Sequence, residues 1–195
     1  MDSEVTARKQ RLRRYLDHAR QAALWKAENL DEAQLRRPMV PSGTNVLGVI
    51  NHLAVMEFGY FSYCLKRPVD SPRAVQAFTS EDPMADFVVE ADTGAADVLQ
   101  FYRQAIDAAN TASEELELDA PASVPWWGED SETTLEHLML HMVGETSRHA
   151  GHLDLVRELI DGQTGLSAQN GNLPEFSDEQ WKEHYARLKK IADSV

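Results

Sequence analysis

The chain has 195 residues, 43% of them hydrophobic and 26% charged, with a formal net charge of −13 from 19 basic and 32 acidic side chains. Length and composition suit a globular domain with a sizeable core, and the acidic balance argues against a nucleic-acid binder, because phosphate contacts draw on clustered Lys and Arg. One cysteine, Cys64, leaves no internal disulfide, the N-terminus has no apolar signal region and no apolar run reaches the ~18 residues of a membrane span, so the expectation is a cytoplasmic protein with no membrane segment.

Helical periodicity runs along almost the whole chain. A first helix is predicted from Val5 to Asn29, with Leu12, Leu16, Ala19, Ala23 and Leu24 as its apolar stripe; the basic run from Arg8 to Arg14 falls on it and reads as a solvated face. Pro38, Pro41 and Gly43 then break the chain into a loop. Thr44 or Asn45 caps a second helix that reaches Leu65, with Val49, Leu53, Met56 and Tyr60 inward. Residues 67–91 contain Pro68, Pro72 and Pro83 and are expected to form a long connection with short helical turns. A third helix is predicted from Gly94 to Leu118, with Val98, Phe101, Tyr102, Ala105 and Ala109 inward.

The stretch from Ala120 to Gly128 reads as another loop. A fourth helix starts near Thr133, where Thr133 and Glu136 have capping-box spacing, and ends at Asp161 before Gly162. A last helix begins at Ser177, with Ser177 and Gln180 as a second capping box, and carries Trp181, Tyr185, Leu188 and Ile191. No segment shows strand alternation. The fold class expected is all-α, a four-helix bundle with a crossover connection after Leu65, in a single domain over 1–195 whose core spans about 5–165, with a helical extension over 166–195.

Chemistry concentrates in the fourth helix. Glu145 and His149 stand one turn apart, with His141 a turn before and His152 nearly a turn after. Leu135, Leu138, Met139, Met142, Leu153, Val156 and Leu159 surround them, which points this face at the core, where imidazoles and a carboxylate need a partner. A divalent metal is one such partner. Glu145 and His149 have the spacing of two ligands on one helix, and His52, set in an apolar stretch of the second helix, is the candidate third. Two nitrogens and an oxygen suit zinc first, with nickel, iron or manganese as alternatives, and three protein ligands leave a coordination position open. A lone histidine on an apolar helix face is more often a satisfied core residue, and the bland alternative for the set is a polar seam held by hydrogen bonds and water. His141 and His152 read as additional ligands or as partners of the ligands.

The segment Glu145-Thr-Ser-Arg148-His149-Ala-Gly151-His152-Leu-Asp154-Leu-Val-Arg157-Glu158-Leu-Ile-Asp161-Gly162 resembles the signature of the DinB-like superfamily, and within it a branch that includes the mini-circle proteins. Trp127-Gly128, Thr134-Leu135, His141-Met142 and the stretch from Pro41 to Leu53 fit the same pattern, so the resemblance runs from the first helix to about Gly165. It implies a metal-binding four-helix bundle, often dimeric, with ligands at the positions of His52, Glu145 and His149. Many relatives have three histidines there. A glutamate is similar to the metal-binding domain of the mycothiol-dependent maleylpyruvate isomerases, adds negative charge and lowers the Lewis acidity of the metal. His152 falls where many relatives have glutamine.

The activity that the resemblance implies is transfer of a low-molecular-weight thiol, of the mycothiol type, to a small electrophile. The isomerases have a further C-terminal domain for which the residues up to Val195 leave no room, which turns the expectation away from isomerisation itself. A metal-dependent hydrolase would use the same three ligands with water in the open position. A non-enzymatic metal-binding or partner-binding module would suit a closed site with His152 or His141 as fourth ligand. Among the remaining residues, Gly151 is expected to let a neighbouring helix approach. Arg148, Asp154, Arg157 and Glu158 should form ion pairs along their own helix. Trp126 and Trp127 should act as a core lid, and Cys64 as a small buried hydrophobe. Phe58, Tyr60, Phe61 and Tyr63 offer more apolar area than one helix face needs, which bears on where a homodimer surface would lie.

Overall fold

The computed structural model describes residues 2–195, with the side chains described from Ser3 onward. The elements are α1 (Asp2–Trp25), α2 (Glu32–Arg36), α3 (Val46–Phe58), α4 (Pro72–Thr79), α5 (Ala95–Glu115), β1 (Pro121–Ser123), β2 (Glu132–Thr134), α6 (Leu135–Asp161) and α7 (Asp178–Ala192). The fold is all-α apart from the small β1–β2 ladder. The chain divides into two compact units, one up to Thr164 and one from Gly165 to Val195 that holds α7.

In the first unit α3 packs on α5 and α1 packs on α6, and contacts between α3 and α6 join the two pairs. The segment from Arg67 to Gly94, with α4 inside it, connects α3 to α5, the long connection with helical turns expected from its prolines. Among the described residues no helix is long and apolar enough to cross a membrane.

Helix α3 sits at the centre because nearly all its side chains are apolar, and a helix hydrophobic all round must be buried. The Asn45 side chain caps it, accepting from the Gly48 backbone N–H at 2.8 Å. Its one acid, Glu57, is fully buried and is taken by Arg20 of α1, whose Nε and Nη2 donate to the two carboxylate oxygens at 2.7 and 2.6 Å. The helix does not continue as α to Leu65. From Gly59 to Tyr63 it widens into a π-helical turn, with the Cys64 N–H donating to the Gly59 carbonyl at 2.9 Å. Tyr60 and Phe61 of this turn lie in the interior. Phe58, Tyr60 and Phe61 are therefore buried by their own chain, and of that aromatic run only Tyr63 is exposed.

Several other expectations are corrected. The region read as an unbroken loop contains strand β1, paired antiparallel with β2 so that Ala122 faces Thr133; strands of three residues are too short to show alternation. The cap of α6 is Thr134, whose hydroxyl accepts from the His137 N–H, so the start lies one residue later than the Thr133 capping box. Gly162 ends α6 in the left-handed region, at φ 75°. Leu159 is 61% exposed and points away from the core. Gly151 makes no close approach to another element, since no atom among the described residues outside its own stretch of helix lies within 4 Å of where its Cβ would stand. Asp154 pairs with Lys26, just past the end of α1, not along α6, whereas Arg157 does pair with Asp161 and also donates to the Lys26 and Glu28 carbonyls, tying α6 to the turn after α1.

Candidate metal centre

Helix α3 contributes His52 and α6 contributes Glu145 and His149. The i,i+4 spacing stacks the last two on one face, and the α3–α6 contact brings the first opposite them. One oxygen, Glu145 Oε1, stands 3.3 Å from His52 Nε2 and 3.1 Å from His149 Nε2. The three donor atoms all lie within 4.8 Å of one another, and His52 and His149 are buried.

The two distances from Glu145 Oε1 fit a metal. At the roughly 2.0–2.1 Å bond lengths of a tetrahedral zinc site, neighbouring ligand atoms stand about 3.3 Å apart. The donor chemistry fits as well, with two imidazoles and a carboxylate converging by their lone-pair atoms. His52 has the support common to metal-bound histidines: its Nδ1 donates to Asp86 Oδ2 at 2.7 Å, which leaves Nε2 facing the cluster. The ring of Phe87 lies on that of His52, 4.1 Å between centroids and 13° from parallel. His149 Nδ1 is buried with no partner among the described residues.

Electrostatics in the metal-free cluster follow from the same contacts. Hydrogen bonds from His149 first and His52 second hold the Glu145 carboxyl well below the usual range, against the opposing effect of burial. Burial pulls the His52 pKa down, but hydrogen bonds to Asp86 and then Glu145 outweigh it and the net shift is upward. Both ring nitrogens stand against carboxylates, which favours the protonated ring, and a metal at Nε2 would compete with a proton there.

His141 and His152 lie outside this group of three. His152 meets His149 edge-on, with ring centroids 5.4 Å apart, and shares with it a cavity of about 190 Å³ bounded by Ser42, Thr44, Asn45, Met84 and Phe87. Burial, with the charges of His149 and Arg148, lowers the His152 pKa. His141 packs between Tyr60 and Trp127, at ring separations of 4.8 and 4.9 Å. Trp126 is half exposed, so it is no core lid; its indole N–H donates to the Tyr60 hydroxyl at 3.2 Å. Cys64 is buried as expected, and burial pushes its thiol up to about 12. Asp86 and Phe87 were not signalled by the sequence, because nothing in the spacing of a proline-broken connection links them to His52.

The family model described as Mycothiol-S-transferase matches residues 11–162, more than three quarters of the chain. The chain belongs to this family, within the DinB-like superfamily. No curated protein and no solved structure matches the chain significantly.

Proposed function

We propose that this protein is a metal-dependent thiol S-transferase. It would join a low-molecular-weight thiol of the mycothiol type to a small electrophile in the cytoplasm, with zinc as the metal. The observation that carries the reading is the convergence of His52, Glu145 and His149 at ligand-to-ligand distances, in a chain of the mycothiol-S-transferase family.

His52 and His149 would bind the metal through Nε2 and Glu145 through Oε1. When bound, the metal supplies acidity to a thiol, so that a thiolate exists near neutral pH. The rest of the chain supplies position. The cavity beside His149 admits a ligand next to the cluster, and its rim of Ser42, Thr44 and Asn45 offers hydroxyl and amide groups to the polar body of a thiol cosubstrate. The Glu145 carboxylate keeps the net charge of the loaded site low. The nucleophile must be the cosubstrate sulfur, because Cys64 is buried and its thiol is held protonated.

The test is an assay of zinc-loaded protein with a thiol panel and a reactive electrophile, following loss of free thiol and formation of the thioether. Transfer by the wild type, abolished in Glu145→Ala and His52→Ala that remain folded, is expected. Turnover of an ester or amide without any thiol would replace this reading with a hydrolase.

A further inference from the structure

The connection between α4 and α5 does more than span the bundle. Three residues of α3 hold its Asp86-Phe87 step. Asn51 Nδ2 donates to the Asp86 carbonyl at 2.6 Å, His52 Nδ1 donates to the Asp86 carboxylate at 2.7 Å, and Gly48 leaves room for the Phe87 carbonyl, which would stand 2.4 Å from any Cβ placed there. Phe87 then covers one face of the His52 ring. The far end of the same segment is held from α2: Arg36 Nη1 donates to the carbonyls of Val89 and Glu90 at 2.9 and 3.2 Å, and Nη2 donates to that of Thr93.

We infer that Asp86 and Phe87 are positioning residues for the metal, and that seating of the 81–93 segment on α3 and metal binding at His52 are thermodynamically linked. Asp86 fixes which nitrogen of His52 carries the proton, and Phe87 fixes the plane of the ring. A segment that lifts off releases both constraints, so the cluster loses its aimed Nε2. Linkage is reciprocal: if seating the segment raises metal affinity by some factor, metal strengthens the seating by the same factor. Met84 and Phe87 also bound the cavity beside His149, so a metal-stabilised segment shapes the mouth of the site. Arg36, which touches none of the three ligands, thereby contributes to metal affinity through backbone contacts alone. The inference rests on the metal reading above.

Zinc affinity of the full chain, by competition with a chromophoric chelator, tests it in wild type, Asp86→Ala, Asp86→Asn and Arg36→Ala. Asp86→Ala should lose about 10- to 100-fold in affinity, the range typical for partners of metal-bound histidines. Asp86→Asn, whose side-chain carbonyl can still accept from Nδ1, should recover part of it, and Arg36→Ala should show a smaller but measurable loss with all three ligands intact. Zinc should also slow amide exchange across 82–90 in the wild type. Wild-type affinity in Asp86→Ala or in Arg36→Ala overturns the inference. Imidazole nitrogen spectra of the metal-free protein, in alkaline buffer where the ring is neutral, separate this failure from failure of the metal reading. They should show His52 protonated on Nδ1 in the wild type and redistributed in Asp86→Ala; an unchanged tautomer there sinks the role of Asp86 whether or not the protein takes up zinc.

Discussion

Arg20 and Glu57 form a two-point ion pair in the middle of the first unit, with Arg20 2% exposed and Glu57 not exposed at all. Arg20 also donates to Asp17 at 2.8 Å and to Asn110 at 3.0 Å, so α1, α3 and α5 meet at one guanidinium. Burial pushes the Glu57 pKa up, and Arg20 opposes it. The pair lies about one turn beyond His52 on α3, which ties the seating of that helix to the position of a candidate ligand. Removing one partner strands the other charge, so Glu57→Ala should destabilise the fold by about 3–5 kcal/mol. Urea denaturation reads this directly, and a loss under about 1 kcal/mol would show that the pair has water access the structure does not give it.

Two glycines give opposite expectations. A Cβ on Gly48 would meet the Phe87 carbonyl oxygen at 2.4 Å, and backbone cannot swing aside as a side chain can. Gly48→Ala should therefore cost about 1–3 kcal/mol and weaken zinc binding through the displaced segment. Gly151 stands on an exposed face of α6 with nothing from outside its own stretch of helix near its Cβ position, so Gly151→Ala should stabilise the protein by roughly 0.5–1 kcal/mol. Thermal melts of both variants check the pair, and a stabilised Gly48→Ala would contradict the packing at Phe87.

The candidate site was legible in the sequence only in part. The pairing of Glu145 with His149 was legible because helix periodicity places i,i+4 residues together and an apolar surround marks a buried face; His52, on another helix, was a candidate only through its apolar setting and the family resemblance. The four long helices followed from the same periodicity. Gly151 was misread because a glycine in a helix has the same signal whether it faces a neighbour or open space. The early end of α3 was missed because a π turn changes the bond pattern without changing composition. Asp86 and Phe87 depend on the tertiary course of an irregular segment, which local pattern does not encode.

Stability of the metal-free protein should carry a signature of the cluster. His52 has a folded-state pKa above its ordinary value, so its contribution is fully present below about pH 6.5 and is lost as pH rises through the raised value. Glu145 is shifted the other way, so its contribution is present above about pH 4.5 and is lost as pH falls through the lowered value. The metal-free cluster thus supports the fold best between those two limits. Zinc must compete with a proton at Nε2 of His52, so the rise in Tm on adding zinc should grow between about pH 6 and pH 8. A zinc-induced shift that stays flat or shrinks over that range would argue against His52 as a ligand.

Cys64 should be silent. Its thiol, pushed up to about 12 by burial, should resist alkylation in the native protein at neutral pH and react only after denaturation. Cys64→Ala should leave thiol transfer unchanged per folded molecule. Lost transfer in a variant with a normal melt would move the nucleophile from the cosubstrate to the protein.

The proposed function stands on a divalent metal held by His52, Glu145 and His149. Metal analysis of protein purified without an affinity tag, as wild type and as His149→Ala, addresses it most directly. About one equivalent of a divalent ion is expected in the wild type, restored after chelation by added zinc, and little in the variant. A wild type that neither contains nor takes up metal, or a His149→Ala variant that binds it as well, would rule out these three residues as the metal site.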